Sequence, residues 1–262
     1  MIFLVAMKPA KDILESMIEK GSHEIDREGD GLFLSSLSAG LDIGFGPLLM
    51  GVILTLSAGS YGDLSTELLL ASAYSVGFIF VILGRSELFT EHTTLAVMPV
   101  IDGKASLKKL GRLWGFVYAG NILGGLLFTG LAVILMPGLG VIEKVAFETI
   151  AYKLVSHETQ WLLVAGIFAG WLMGLLAWLI TAAENTVDRI ILIWIVTATI
   201  GMFHLPHSIA GNVEVLLGLF TTSSITVTDY LTFLSLSTAG NAIGGAIFVG
   251  LMKYGHVVRG AK

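Results

Sequence analysis

Two short polar stretches carry the chemistry of this chain, and each interrupts a long apolar run. After ASAYSVGFIFVILG comes Arg85-Ser86-Glu87-Leu88-Phe89-Thr90-Glu91-His92, and after IILIWIVTATIGMF comes His204-Leu205-Pro206-His207-Ser208-Ile209-Ala210-Gly211-Asn212. His207 is the side chain best suited to act. An imidazole with an unperturbed pKa of about 6.5 can donate a hydrogen bond to an anion or relay a proton to it. Thr90 and Ser208 add hydroxyls that could hydrogen-bond the same substrate or hold the ring. A small naked anion crosses an apolar constriction only at high cost, because burying an unpaired charge is strongly unfavourable; a weak acid escapes that cost by taking a proton.

The same residues admit other chemistry. His204 and His207, three positions apart, could bind a metal together with Glu91 and His92, which would make the chain a membrane enzyme. There is no HExxH, and an incomplete ligand set split between two stretches is weak support, so no metal or other cofactor is expected. Without any cysteine, disulfides, thiolate metal sites and cysteine nucleophiles are excluded. Arg85 has two readings. The expected one is neutralisation of intramembrane charge by pairing with Glu87, Glu91 or Glu214; the other is attraction of an anion. Asp42 and Glu214 are expected to be paired polar groups.

The elements that position these residues are membrane helices. Of 262 residues 55% are apolar and only 13% charged, against roughly 25% charged in a soluble domain. The mean hydropathy is +0.84. A net charge of −5, carried mostly in loops, argues for no nucleic-acid partner. The opening MIFLVAM stops at Lys8 and is too short for a cleaved signal. Six stretches have spanning length: 32–57, 68–100, 110–136, 161–183, 190–220 and 230–254. An even count puts both termini on one side. The flanks on that side carry nearly all the Lys and Arg, so both termini are expected in the cytoplasm of an inner membrane.

Residues 119–131 (AGNILGGLLFTGL) and 239–251 (AGNAIGGAIFVGL) share eight of thirteen positions at a separation of 120. They fall on spans three and six. Three spans per unit is an odd number, so the two units, about 31–136 and 160–255, must cross in opposite directions as an inverted repeat. Their glycines permit close helix approach, and Asn121 and Asn241 can hydrogen-bond across helices, which marks both as packing residues. The polar stretches lie in the corresponding spans two and five. Pro206 should break span five, and irregular backbone at membrane depth survives only where protein buries it or it lines a cavity. From the helical length ahead of each break, the first lies toward the cytoplasm and the second toward the outside. Half-helices starting after each break present N–H groups that favour an anion.

With these motifs in place the chain resembles the formate/nitrite transporter family. The residues that carry the resemblance are Ala39-Gly-Leu-Asp-Ile-Gly-Phe-Gly46 in span one, Glu87-Leu-Phe-Thr90, His207-Ser-Ile-Ala210 and the two AGNxxGG phrases, and together they cover about 32–254. The resemblance implies an aquaporin-like all-α protomer, a homopentamer with one pore per protomer in membrane lipid, and passage of small monovalent weak-acid anions or their protonated forms. It further implies that Leu88 and Phe89 form a cytoplasmic constriction, that Thr90 is a loop hydroxyl near the pore, that His207 is the central histidine, and that Tyr74, Phe78 and Ile200 narrow the path. His204 has no counterpart.

The chain departs from the family pattern in span four, where Ala165 and Gly170 stand in place of a lysine and an asparagine. Pro206 replaces the acid usual before the histidine, and Glu91-His92 replaces small or amide residues. A channel for water or a small neutral solute also fits an inverted repeat, although neither break contains Asn-Pro-Ala. Residues 1–30 are expected to form a cytoplasmic segment with a short amphipathic helix, its apolar face being Ile13, Leu14, Met17 and Ile18, ahead of a six-span domain from 31 to 262.

Overall fold

In the computed structural model, described residues 8–57 and 63–260 form helices and connections, with no strand among them. The opening MIFLVAM and the tip of the first interspan loop lie outside the described residues.

Helix α1 (Ala10–Asp26) is longer than the short helix expected. Its predicted apolar face is buried and packs on Leu95, Met98, Ala177 and Trp178. Span one comprises α2 (Gly29–Asp42) and α3 (Phe45–Leu56), which follow one another through Ile43 and Gly44, both in the right-handed helical region, as one run of 28 residues. Span two comprises α4 (Leu64–Leu83), a non-helical stretch, α5 (Phe89–Leu95) and the short α6 (Met98–Ile101). Span three is the 32-residue α7 (Leu107–Gly138), started by the Ser106 hydroxyl, which accepts from the Lys109 N–H. A further helix, α8 (Lys144–Val155), follows before span four, α9 (Thr159–Ala182).

Span five is split into α10 (Thr186–Met202) and α11 (Ser208–Thr221), of 17 and 14 residues. At 1.5 Å per residue neither half alone covers a hydrocarbon core of about 30 Å. The other five spans each hold a helix long and apolar enough to cross. Span six starts on a reciprocal cap between Thr226 and Asp229, runs as α12 (Val227–Ile243), widens into a π-helical stretch at Gly244–Leu251 and ends in α13 (Met252–Gly260). The widening receives Thr94, whose hydroxyl donates to the Gly245 carbonyl at 2.8 Å. Tyr254 and Val257 of α13 pack on the cluster that holds α1, so both ends of the described chain lie on one face.

The repeated glycines form the seams that hold the bundle together. Gly124 of α7 lies against Gly40 of α2, and Gly240 of α12 lies against Gly166 of α9. These helix pairs, α2 with α7 and α9 with α12, are the most extensive in the molecule. Without side chains between them the backbones come close enough for dispersion to replace the hydrophobic drive that lipid does not supply. Gly170, one of the departures in span four, has the same use. A Cβ there would run into the backbone of Asn241. Gly170→Asn should therefore destabilise the fold by about 1–3 kcal/mol or more, as overpacking does; thermal unfolding in detergent checks it, with Gly111→Asn, whose Cβ would meet nothing, as the tolerated control.

Candidate functional site

Both helix breaks begin with the same backbone device. At the end of α4 the chain turns through Arg85 at φ 57°, the Arg85 N–H donates to the Ile82 carbonyl at 3.3 Å and the Ser86 N–H to Val81 at 3.1 Å. At the end of α10 His204 has φ 49°, its N–H donates to Gly201 at 3.1 Å, and the Leu205 N–H donates to Ile200 at 3.0 Å. This left-handed closure satisfies terminal carbonyls and redirects the chain, and non-glycine residues adopt it only at a cost. Helix α10 thus ends four residues before Pro206, which lies inside the break rather than at its start. The chain then extends to Leu88 (φ −106°, ψ 126°) and His207 (φ −97°, ψ 119°), equivalent positions that cap α5 and α11.

Each break is held by one asparagine. Asn121 accepts from the Phe89 N–H and donates to the carbonyls of Ser36 and Glu87, all at 2.8 Å. Asn241 accepts from the Ser208 N–H at 2.8 Å and donates to Gly166 at 2.8 Å and Pro206 at 2.9 Å. Each amide uses both donors and bridges a break to a neighbouring span. The sequence marked these residues for packing; the structure makes them the supports of the site. Their repeat at 120 positions was the available signal, but only three-dimensional contact names their partners.

Between the two breaks, His207 and Thr90 meet. His207 Nε2 is 2.8 Å from the Thr90 hydroxyl, and both residues are buried. His207 Nδ1 accepts the Ala210 N–H at 3.1 Å, so the cap of α11 is the imidazole itself. With Nδ1 occupied as an acceptor, the proton of the neutral ring resides on Nε2 and points at Thr90. Phe78 meets the ring edge-on at a centroid distance of 5.0 Å, and Tyr74 follows, its ring tilted by 49° and 5.1 Å from Phe78. Ser208 does not hold the imidazole. Its N–H goes to Asn241, and its buried hydroxyl has no partner. Leu88 is fully buried, while Phe89 packs edge-on against Trp114 and Tyr118 of α7.

Two cavities flank this centre. One, of about 20 Å³, is bounded by Tyr74, Ile200, His204, Lys153 and Glu214, and has room for roughly one water. There Lys153 donates to Glu67 at 2.9 Å and lies 3.1 Å from His204 Nε2. The other, of about 640 Å³, opens beside the first break on the face that carries α1. Arg85 lines it, exposed, and the expected pairing with Glu87, Glu91 or Glu214 does not occur. Glu87 binds Arg27 and His92, each at 2.6 Å; Glu91 binds Lys20 at 2.9 Å; Glu214 lines the opposite cavity. The Glu91 charge accordingly raises the pKa of Lys20. Asp42 accepts from Ser38 at 3.2 Å.

The residues considered for a metal do not converge. His207 faces Thr90, His204 faces Lys153, His92 faces Glu87 and Glu91 faces Lys20, and no group of three or more candidate ligands occurs among the described residues. Sequence reasoning missed Lys20, Arg27, Lys153 and Glu67. Lys20 and Arg27 are seven positions apart, two helical turns, which could have suggested a basic stripe on α1; nothing in the sequence joins Lys153 to span two or to the second break. Asn241→Ala should leave a buried N–H and two carbonyls unpaired, at about 1–3 kcal/mol for each group. A lowered melting temperature in detergent, matched by Asn121→Ala and not by removal of the exposed Lys108, checks it.

The sequence model of the formate/nitrite transporter family matches residues 11–255. An inner membrane protein of Escherichia coli (strain K12), YfdC, is 32% identical over 255 residues, covering 95% of this chain and 79% of that protein. Two solved structures have the same fold: an FNT family ion channel (TM-score 0.79, 22% identity, 93% of this chain and 98% of that one) and a pentameric formate channel with formate bound (TM-score 0.75, 24% identity, 88% and 98%). The chain, an all-helical membrane protein whose two broken spans meet at His207 and Thr90, belongs to the formate/nitrite transporter family.

Proposed function

We propose that this protein carries small monovalent weak-acid anions of the formate and nitrite class across the inner membrane, as a homopentamer with one pathway in each protomer and with both termini in the cytoplasm. The observation that carries the reading is the buried bridge of 2.8 Å between His207 Nε2 and Thr90, placed where two broken spans meet and lying between two cavities.

In this reading an anion enters from the wide cavity, passes Leu88 and replaces the Thr90 hydroxyl as acceptor of the His207 Nε2–H. A charge-assisted hydrogen bond offsets part of the desolvation cost at this buried centre. Phe78, Tyr74 and Ile200 form the apolar exit toward the small cavity, and the orphan Ser208 hydroxyl is a second donor for the substrate. Hydrogen bonding fits His207 better than proton relay does. To give a proton and stay neutral the ring must first carry protons on both nitrogens, and protonating Nδ1 would displace the Ala210 N–H that caps α11. Any proton that neutralises the substrate would then come from water or from the substrate pool.

Purified protein in liposomes should pass formate faster than empty vesicles do. His207→Asn keeps an acceptor for the helix cap but removes the Nε2–H, so it should fold normally and lower formate flux by about 10-fold or more, on the scale of a lost charge-assisted hydrogen bond. Flux of water alone through the wild type would discard the anion reading; undiminished formate flux in His207→Asn would discard the role of His207.

A further inference from the structure

The two breaks are built alike, but the residue at the left-handed turn differs: Arg85 at one and His204 at the other, 119 positions apart. The histidine is committed, lying 3.1 Å from Lys153 and 3.4 Å from Glu67 beside a cavity with room for one water. The arginine is not. It stands in the wall of the 640 Å³ cavity, exposed, three residues ahead of Leu88, and no carboxylate pairs with it among the described residues. Every acid in that wall already has a cation: Glu24 and Glu87 share Arg27, and Glu91 has Lys20. Lys8 and Arg189 line the same cavity, and among the described residues no carboxylate pairs with them either, so the mouth keeps an excess of positive charge.

We propose that Arg85 is the anion-recognition residue of the wide mouth, its guanidinium engaging the carboxylate or nitrite oxygens of the substrate before the anion passes Leu88. This rests on the anion reading of the pathway given above and assigns that reading a second, outer binding position. The chemistry fits. A guanidinium is charged at every working pH, presents parallel N–H donors that match two oxygens, and is less strongly hydrated than an ammonium. The backbone turn fixes where the side chain starts, because the Arg85 and Ser86 N–H groups close the end of α4. The neighbouring cations raise the local anion concentration without holding the ligand, as expected of a cleft lined by one sign of charge. Lys20 and Arg27 serve instead to occupy the acids that would otherwise capture Arg85.

The test is formate uptake into proteoliposomes at low ionic strength, measured as a function of formate concentration for the wild type, Arg85→Asn and Arg85→Lys. Asparagine tolerates positive φ, so the first variant removes the charge and keeps the turn. The half-saturating formate concentration should rise about 3- to 10-fold in Arg85→Asn, with maximal flux within about twofold of wild type, and Arg85→Lys should restore most of the loss. Concentrated salt should shrink the difference between the wild type and Arg85→Asn. An unchanged half-saturating concentration in Arg85→Asn overturns the assignment, as does a fall in maximal flux that lysine does not rescue or that ignores salt. If the wild type itself passes no formate, the anion reading fails and the outer site fails with it; wild-type flux with an indifferent Arg85→Asn removes the outer site alone.

Discussion

Backbone that leaves the helix inside a membrane must find hydrogen-bond partners within the protein, because lipid offers none. Two asparagine side chains meet that constraint here. Asn121 and Asn241 each accept one N–H from the first turn of a half-helix and donate to a carbonyl of the break and to a carbonyl of a neighbouring span. Everything that makes the site possible depends on them: the extended backbone before Leu88 and His207, the helix starts at α5 and α11, and the approach of those starts across the centre. The glycines beside each asparagine belong to the same solution. Gly125 lies against Asn212 and Gly245 against Thr93, so the seam that brings the asparagine to the break also lets the half-helix lie close behind it.

The two breaks are alike in backbone and unlike in side chain, and the difference gives the pathway its character. Equivalent capping positions hold Leu88 and His207. One presents only apolar surface. The other presents an imidazole whose Nδ1 serves its own helix and whose Nε2 is left to face Thr90. A ring fixed by a structural hydrogen bond on one side is preorganised on the other, in the manner of a metal-ligand or catalytic histidine whose second nitrogen sets the tautomer. The residues just before the caps diverge further: Glu87 draws in Arg27 and His92, while Pro206 makes no ion pair and offers only its carbonyl.

Helix α1 is joined to the first break by charge and to the bundle by packing. Its apolar stripe sits on α5, α6 and α9, and its Lys20 and Arg27 reach Glu91 and Glu87. Several residues that the sequence singles out as unusual have a physical role in this setting. Glu91 and His92 both have partners here, Lys20 for one and Glu87 for the other. At Gly170, α9 and α12 touch and leave no space for a side chain. For Ala165, half-buried on α9, the structure offers no comparable reason.

Much of this architecture was legible in the sequence because it follows from one-dimensional rules. Spanning runs are set by hydrocarbon thickness, breaks by polar residues and proline within such runs, and the likeness of the two asparagine-held breaks by a glycine-asparagine phrase repeated at 120 positions. Those rules placed His207 and Thr90 in opposite breaks. They misjudged Arg85, since the nearest acids in sequence are not the acids free to pair: Glu87 and Glu91 lie two and six residues away, but Arg27 and Lys20, 60 and 71 residues upstream of them, already hold both. The meeting of His207 with Thr90 and the assembly of Lys153, Glu67 and His204 from three separate elements likewise depend on contacts between segments far apart in the chain. Hydropathy and local propensity therefore determined which segments cross and where they break, whereas the pairing of charges and the donor left on His207 were decided only by tertiary packing, because hydrogen bonds and ion pairs depend on angstrom-scale distance and not on order along the chain.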